Sequence, residues 1–203
     1  MPPLRLLLAT HNEHKCREFE RLLAADRAGA WELDVLPAAV ELPPEDGETF
    51  AANALGKARA AAAATGRVSI ADDSGIAAAA LGGAPGVRSA RYAGEQASDG
   101  ENLAKLQREV PAGSPLEYIC AIAYVDPASG REEMFEGRCA GVMASAPQGA
   151  GGFGYDPIFL PEDNRSEIAL TMAELSDEQK DAISHRGRAA RALLEWLRGQ
   201  DRG

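Results

Sequence analysis

Cysteine is scarce in this sequence: the chain has three, Cys16, Cys120 and Cys139, and no two of them form a C-x-x-C pair. An odd and scattered set suits neither a disulfide framework nor a structural zinc site. The histidines form no H-x-H or H-E-x-x-H pattern, and the chain has no G-x-S-x-G motif. The sequence therefore predicts neither a histidine metal centre nor a serine nucleophile.

Basic residues and long apolar segments are also in short supply. The chain has 31 acidic and 21 basic residues, which gives a formal net charge of −10. Nucleic acids and anionic membranes are bound by broad basic surfaces, so neither is an expected partner, although a few lysines can still converge on a small anion. No apolar segment approaches the roughly 20 residues of a membrane-spanning helix. The first residues lack the features of a signal peptide, so we expect a cytoplasmic protein.

What the sequence does contain is a regular alternation of strand and helix patterns. Its 203 residues, 45% of them hydrophobic, are enough for one domain with a sizeable core. Apolar or alternating runs predict strands over residues 4–10, 31–37, 67–71, 116–126 and 131–144. Helical patterns follow residue 10, cover residues 49–65 and 98–110, and return near the carboxyl terminus. This order predicts an α/β fold with a mixed β-sheet and flanking helices, in a single domain over residues 1–203.

Polar residues and glycines mark where several of these helices begin and end. Two pairs have the spacing of a helix start, Ser98 with Glu101 and Ser176 with Gln179. Gly66 is a suitable stop for the alanine-rich helix, and Gly187 predicts a break between the last two helices.

The segment "THNEHK", residues 10–15, joins the first strand to the first helix. Asn12 can turn the chain there, and Lys15 falls in the first turn of the helix. The amino end of a helix attracts anions, and a nearby lysine adds a positive charge. The segment therefore predicts a phosphate site, with an ordinary turn and a solvated lysine as the alternative.

The segment "ADDSG", residues 71–75, sets Asp72 and Asp73 side by side where the third strand is predicted to end. Ligands of open α/β sheets bind beyond the carboxyl ends of strands, and Mg²⁺ is held by one or two carboxylates. Glu45, in the acidic loop over residues 38–48, can supply another ligand. The alternatives are a solvated turn for the two aspartates and an exposed loop acid for Glu45.

Two later segments favour recognition of a base. In "GGFGYDPIF", residues 151–159, glycines flank Phe153 and Tyr155, which either present a stacking face to a nucleobase or are core aromatics on a turn. In "KDAISHRGRA", Lys180, His185 and Arg186 surround a predicted helix break. Arg186 offers a fork of donors to an acceptor edge, and a solvated basic stretch is the alternative.

Taken together and in this order, these segments resemble the RdgB-like inosine/xanthosine triphosphate pyrophosphatases, from Leu6 to about Leu197. The segments that carry the likeness are "THNEHK", "EDGETFAANALGKA", "ADDSG", "LGGAPGVRSARYAG", "GGFGYDPIF" and "AISHRGRA". The resemblance implies an elongated α/β domain of two lobes with a central cleft, assembled as a homodimer. It also implies Mg²⁺-dependent hydrolysis of inosine, deoxyinosine and xanthosine triphosphates, which are non-standard purine nucleotides, to the monophosphate and pyrophosphate.

The resemblance further implies residue roles. Asp73 would be the catalytic base and a metal ligand, with Glu45 as the second ligand. The implied substrate-binding residues are Thr10, His11, Asn12, Glu13, His14, Lys15, Lys57, Ser74, Phe153, Gly154, Tyr155, Asp156, Lys180, His185 and Arg186.

Two positions depart from the family pattern. His11 and His14 stand where many relatives have glycine, and Pro44 with Glu45 stands where some relatives have two glutamates. The competing hypotheses are a nucleotide-binding protein without activity and a phosphatase that forms an aspartyl-phosphate. The second expects a D-x-D motif, which "DDSG" does not supply.

Overall fold

The computed structural model describes residues 3–25, 31–163 and 169–200. Within those ranges the chain forms six strands and five α-helices. In chain order they are β1 (Leu4–Leu8), α1 (Glu13–Ala24), β2 (Trp31–Val35), α2 (Phe50–Thr65), β3 (Ser69–Ala78), α3 (Asp99–Glu109), β4 (Pro115–Asp126), β5 (Arg131–Met143), β6 (Phe159–Pro161), α4 (Asp177–Ile183) and α5 (His185–Gln200). No helix among these residues is both long and apolar enough to cross a membrane.

The strands form one sheet in the order β2-β1-β3-β4-β5-β6. Strand β1 runs parallel to β2 and to β3, whereas β5 and β6 are antiparallel. Leu8 of β1 stands opposite Ile70 of β3, so the register brings the first strand-to-helix turn to the level of the two aspartates. The predicted α/β fold with a mixed sheet and flanking helices is confirmed.

Contacts divide the chain into two compact units, each with its own apolar core. Unit one comprises the described residues of Met1–Asp73, Cys120–Glu136 and Arg188–Gly203, and unit two comprises those of Ser74–Ile119 and Gly137–Gly187. In unit one, β1 and α1 pack against α5, and the buried alanines of α2 pack beside Leu7 and Ala71. In unit two, Leu106, Tyr118 and Phe159 belong to a separate core. The single domain predicted over residues 1–203 stays a prediction.

The predicted helix boundaries are confirmed at three sites. Both capping boxes form: the Ser98 and Ser176 side chains each accept the backbone N–H three residues on, and Glu101 and Gln179 reach back to the cap. Gly66 ends α2 in the left-handed conformation, with φ 68°.

The predicted end of the third strand is wrong. Strand β3 continues to Ala78, so Asp72 and Asp73 lie inside it rather than beyond its end. The serine and glycine that suggested a turn, Ser74 and Gly75, are strand residues, and the chain passes close to another segment at Gly75. A Cβ at Gly75 would lie 2.4 Å from Ser89 Oγ and 2.6 Å from the Gly86 carbonyl oxygen, so glycine is required by this approach.

The predicted helix break at Gly187 is also wrong by three residues. Helix α4 ends at Ile183, the extended backbone of Ser184 separates it from α5, and Gly187 lies in the first turn of α5. The Ser184 hydroxyl accepts the Gly187 N–H at 3.0 Å, as a helix cap does. Gly187 is needed for packing rather than for a turn, since a Cβ there would lie 2.0 Å from the Asp181 carbonyl oxygen.

Candidate active site

Asp72 and Asp73 are both buried, with 0% and 4% of their surfaces exposed. Successive side chains of a strand point to opposite faces of the sheet, so the two carboxylates do not face each other. Their partners differ accordingly: Asp72 contacts Lys15, and Asp73 accepts a hydrogen bond from Asn53. The alternative of a solvated turn is therefore wrong, and each carboxylate has a polar partner of its own.

Asp72 gathers two lysines. Its carboxylate lies 3.1 Å from Lys15 Nζ, and its backbone carbonyl accepts a hydrogen bond of 2.7 Å from Lys57 Nζ. Lys57 also donates to the Glu45 carboxylate, which reaches in from the acidic loop. The Cys120 thiol lies 3.9 Å from the same Asp72 carboxylate. The ammonium groups of Lys15 and Lys57 thus both contact Asp72, the residue next to Asp73 in the strand.

Lys57 remains charged although it is buried. Burial acts to lower the pKa of its ammonium, but the negative charges of Asp72, Glu45 and Asp73 act in the opposite direction, and the pKa is raised overall. A buried lysine with a raised pKa is a fixed positive charge at neutral pH. Such a charge suits an anionic ligand better than proton transfer.

Burial is the main cause that raises the pKa of Asp73 above its ordinary value, and the neighbouring Glu45 adds to the effect. The charges of Lys57 and Lys15 act in the opposite direction, as does the hydrogen bond from Asn53. A carboxylate held in this way is a better proton acceptor than an exposed aspartate.

Asn53 was not identified from the sequence. Its Nδ2 donates to Asp73 Oδ2 at 2.8 Å. Asn53 and Lys57 are four residues apart in α2, and that spacing places two side chains on one face of a helix. The same spacing in "AANALGKA" was the signal that could have identified Asn53.

Asp73 and Glu45 fit a magnesium ion. No three histidine, cysteine, aspartate or glutamate side chains gather as a metal cage in residues 3–25, 31–163 and 169–200. Mg²⁺ does not need a cage, because it is held by one or two carboxylates together with water and substrate phosphates. The oxygen donors of Asp73 and Glu45 have that chemistry, and Glu45 already meets a cation, the ammonium of Lys57.

The predicted phosphate segment brings one residue to this cluster. Asn12 caps α1 by accepting the backbone N–H groups of His14 and Lys15, and its own N–H donates to Thr10 Oγ1 at 3.1 Å. Lys15 points to Asp72. His11 lies 3.1 Å from the Val40 carbonyl oxygen.

Glu13 and His14 lie on the exposed side of α1. Arg17 contacts both of them, 3.7 Å from a Glu13 carboxylate oxygen and 3.1 Å from His14 Nδ1. In this segment it is Lys15 whose contact with the aspartate pair is described.

In unit two, Asp156 organises the glycine-rich turn. Its Oδ2 accepts hydrogen bonds from Lys180 Nζ at 2.6 Å and from the Phe153 N–H at 3.0 Å. Its Oδ1 accepts from the Tyr118 hydroxyl at 3.1 Å. A Cβ at Gly152, where φ is 68°, would lie 2.0 Å from Asp156 Oδ2, so the turn needs glycine there. The buried Asp156 thus holds Phe153 and Lys180 together.

The half-buried Phe153 ring has two cations near its face. Lys180 Nζ lies 5.1 Å from the ring centroid, and the Arg186 guanidinium carbon lies 5.6 Å from it. Arg186 also donates to Ser74 Oγ at 2.7 Å, and His185 stacks on Tyr118 with ring centroids 4.5 Å apart. Lys180, His185 and Arg186 are all buried, so the alternative of a solvated basic stretch is wrong.

The two aromatic residues of the glycine-rich turn separate in role. Tyr155 is buried in the core, its hydroxyl donates to the Ser89 carbonyl at 2.7 Å, and burial raises the pKa of that hydroxyl. Phe153 is only half-buried, and the Gly154 N–H beside it donates to Asp99 at 2.9 Å. Phe153 is thus the ring that can present a face to a base.

Comparison with known proteins gives one consistent family. The model of the Ham1 family matches residues 6–196. A dITP/XTP pyrophosphatase of Symbiobacterium thermophilum is 49% identical over 201 residues, covering 97% of this chain and 96% of the relative. One of Corynebacterium glutamicum (strain R) is 43% identical over 205 residues, covering 96% and 97%.

Solved structures agree with the sequence matches. A HAM1 protein from Coxiella burnetii superposes with a TM-score of 0.83 at 37% identity, covering 97% of this chain and 99% of that one. A nucleoside-triphosphatase, dITP/XTP pyrophosphatase, from Mycobacterium abscessus gives a TM-score of 0.69 at 41% identity, covering 94% and 99%.

Proposed function

The chain belongs to the Ham1 family, and from that premise we propose that it hydrolyses the triphosphates of deoxyinosine, inosine and xanthosine to the monophosphate and pyrophosphate. The family match confirms the resemblance drawn from the six sequence segments. The observation that carries the proposal is the convergence of Lys15 and Lys57 on Asp72, next to the buried Asp73. Two fixed cations beside a carboxylate of raised pKa suit hydrolysis of a polyphosphate.

In this reaction, water attacks the α-phosphorus, and the bond from that phosphorus to the bridging oxygen breaks. The electron pair leaves with pyrophosphate. Asp73 orients the water and accepts its proton, for which its raised pKa is an advantage. Bound Mg²⁺ would be held by Asp73 and Glu45 and would neutralise phosphate charge and make the water more acidic.

The lysines contribute charge rather than proton transfer. Phosphoryl transfer requires little covalent chemistry from the protein, because positioning and electrostatic stabilisation supply most of the acceleration. Lys57 is held by the Asp72 carbonyl and Glu45, and Lys15 is held by the Asp72 carboxylate. Both ammonium groups are therefore fixed before a substrate arrives.

Base selection belongs to the residues around Phe153. Hypoxanthine and xanthine carry an oxygen at position 6, whereas adenine carries an amino group there. Lys180 and Arg186 lie near the Phe153 ring face and have only donors to offer. A donor pairs with the oxygen and meets another donor in adenine, so a closed site of this kind rejects adenine by up to about 10⁴-fold.

We further propose that the enzyme depends on Mg²⁺, acts as a homodimer and works in the cytoplasm. The donor set of Asp73 and Glu45 supports the first of these. The family resemblance supports the second, and the three free thiols suit a reducing compartment. Sedimentation at micromolar concentration tests the assembly, and a clean monomer would contradict it.

A panel of nucleoside triphosphates assayed for pyrophosphate release tests the function. We expect release from deoxyinosine, inosine and xanthosine triphosphates with Mg²⁺, and far slower release from adenosine triphosphate. The rival hypothesis of a nucleotide-binding protein without activity predicts binding of the same nucleotides with no pyrophosphate released.

A further inference from the structure

One buried amide joins the acidic loop to the strand that carries Asp73. Asn53 lies in the first turn of α2 and is 5% exposed. Its Nδ2 donates to Asp73 Oδ2 at 2.8 Å, and its Oδ1 accepts the backbone N–H of Gly47, also at 2.8 Å. Gly47 stands two residues after Glu45 in the chain.

The partners of the amide fix its orientation. The Gly47 N–H can only donate, so the oxygen of the Asn53 side chain must face it, and the NH₂ group must face Asp73. Asp73 Oδ2 is thereby committed to accepting a hydrogen bond, which fixes the rotation of that carboxylate. Asn53 cannot be reversed without placing two donors against each other.

The loop reaches Asn53 only because residue 47 is glycine. A Cβ at Gly47 would lie 2.6 Å from Asn53 Oδ1 and 3.0 Å from the Ala52 Cβ. The start of α2 is fixed as well, because the Thr49 side chain caps the helix by accepting the Ala52 N–H at 3.1 Å. The loop, the helix start and Asp73 therefore form one connected hydrogen-bonded unit.

We propose that Asn53 is a positioning residue for the cation site: it sets the rotation of Asp73 and, through Gly47, the approach of Glu45. This inference rests on the proposed function, in which Asp73 and Glu45 hold Mg²⁺. Residues that orient metal ligands by hydrogen bonds affect metal affinity or activity by about 10–100-fold when they are replaced.

A second asparagine provides a matched control. Asn102 in α3 is 2% exposed and also bridges two groups: its Nδ2 donates to the Ala90 carbonyl at 3.0 Å, and its Oδ1 accepts the Ala93 N–H at 2.7 Å. Its described partners are backbone groups. Asn102→Ala therefore removes a buried bridging amide of the same kind without touching a carboxylate.

The test measures Mn²⁺ binding to the nucleotide-free protein by electron paramagnetic resonance, in the wild type and in Asn53→Ala and Asn102→Ala. Thermal unfolding reports whether each variant is folded. We expect Asn53→Ala to bind Mn²⁺ about 10–100-fold more weakly than the wild type, while Asn102→Ala binds it equally well. Gly47→Ala displaces the loop with no polar group removed, and we expect it to weaken Mn²⁺ binding as well.

Equal Mn²⁺ affinity in the wild type and both asparagine variants would overturn the proposal, as would an equal loss in both. Absence of Mn²⁺ binding in the wild type would also overturn it, since there would be no site to position. In hydrolysis of deoxyinosine triphosphate, raised Mg²⁺ should restore turnover of Asn53→Ala, which a merely unstable variant would not show. A wild type that binds Mn²⁺ but releases no pyrophosphate would instead refute the proposed function and leave the role of Asn53 intact.

Discussion

Replacing each of the two adjacent aspartates by asparagine should produce opposite defects. Asp72→Asn leaves Lys15 without its charge partner in a buried site, and breaking a buried ion pair costs about 3–5 kcal/mol. The asparagine oxygen can still accept a hydrogen bond, and the carbonyl that holds Lys57 is unchanged. We therefore expect Asp72→Asn to lower the free energy of unfolding by about 3 kcal/mol. In a chain of this size that loss lowers the Tm by about 6–12 °C.

Asp73→Asn should instead remove turnover and preserve the fold. Burial raises the pKa of Asp73, so the folded state favours its neutral form more than the unfolded chain does. The stabilisation from this group is present below the unfolded pKa and is lost as the pH rises through the folded pKa. At neutral pH the ionised Asp73 is therefore unfavourable, and an uncharged isostere keeps or raises the Tm.

In the proposed mechanism Asp73→Asn removes both proton acceptance and a metal ligand, so we expect kcat to fall by about 10³-fold or more. Nucleotide binding should remain measurable because the contacts around Phe153 are untouched. The assays are thermal unfolding and steady-state hydrolysis of deoxyinosine triphosphate, for both variants side by side. A stable but inactive Asp72→Asn, paired with an unstable but active Asp73→Asn, would refute the assignment of the two carboxylates.

The remaining predictions concern the base and the cation. Arg186→Ala should lower kcat/KM for inosine triphosphate far more than for adenosine triphosphate. An unchanged ratio of the two kcat/KM values would mean that the arginine does not select the base. Phe153→Ala should lower kcat/KM for both nucleotides by similar factors, since stacking scarcely distinguishes one purine from another. Tyr155→Phe removes the hydrogen bond to the Ser89 carbonyl and should lower stability by about 1 kcal/mol with no change in that ratio. Chelation with excess EDTA should abolish turnover, and added Mg²⁺ should restore it; turnover that persists would contradict the metal assignment.

Local signals predicted the framework well. Ser98 with Glu101 and Ser176 with Gln179 marked helix starts that both form, because a capping box involves only four consecutive residues. The strands were predicted from apolar or alternating runs, and the mixed sheet was predicted from the order of strand and helix patterns along the chain.

The errors in the sequence predictions arose where contacts between segments distant in the chain determine the local structure. Gly75 and Gly187 suggested a turn and a break, yet both are glycine because another part of the chain passes too close for a Cβ. The role of Asn53 was missed because its partners, Gly47 and Asp73, come from different elements. A sequence pattern states which residues share a helix face, but it does not state what the tertiary structure brings against that face.

The bond that is cleaved is the central claim, and hydrolysis of deoxyinosine triphosphate in ¹⁸O-labelled water tests it most directly. Mass spectrometry of the separated products identifies both the bond broken and the phosphorus attacked. Attack at the α-phosphorus, with Asp73 as the acceptor of the proton, predicts deoxyinosine monophosphate carrying the label and unlabelled pyrophosphate. Deoxyinosine diphosphate with inorganic phosphate, or label found in the pyrophosphate, would contradict it.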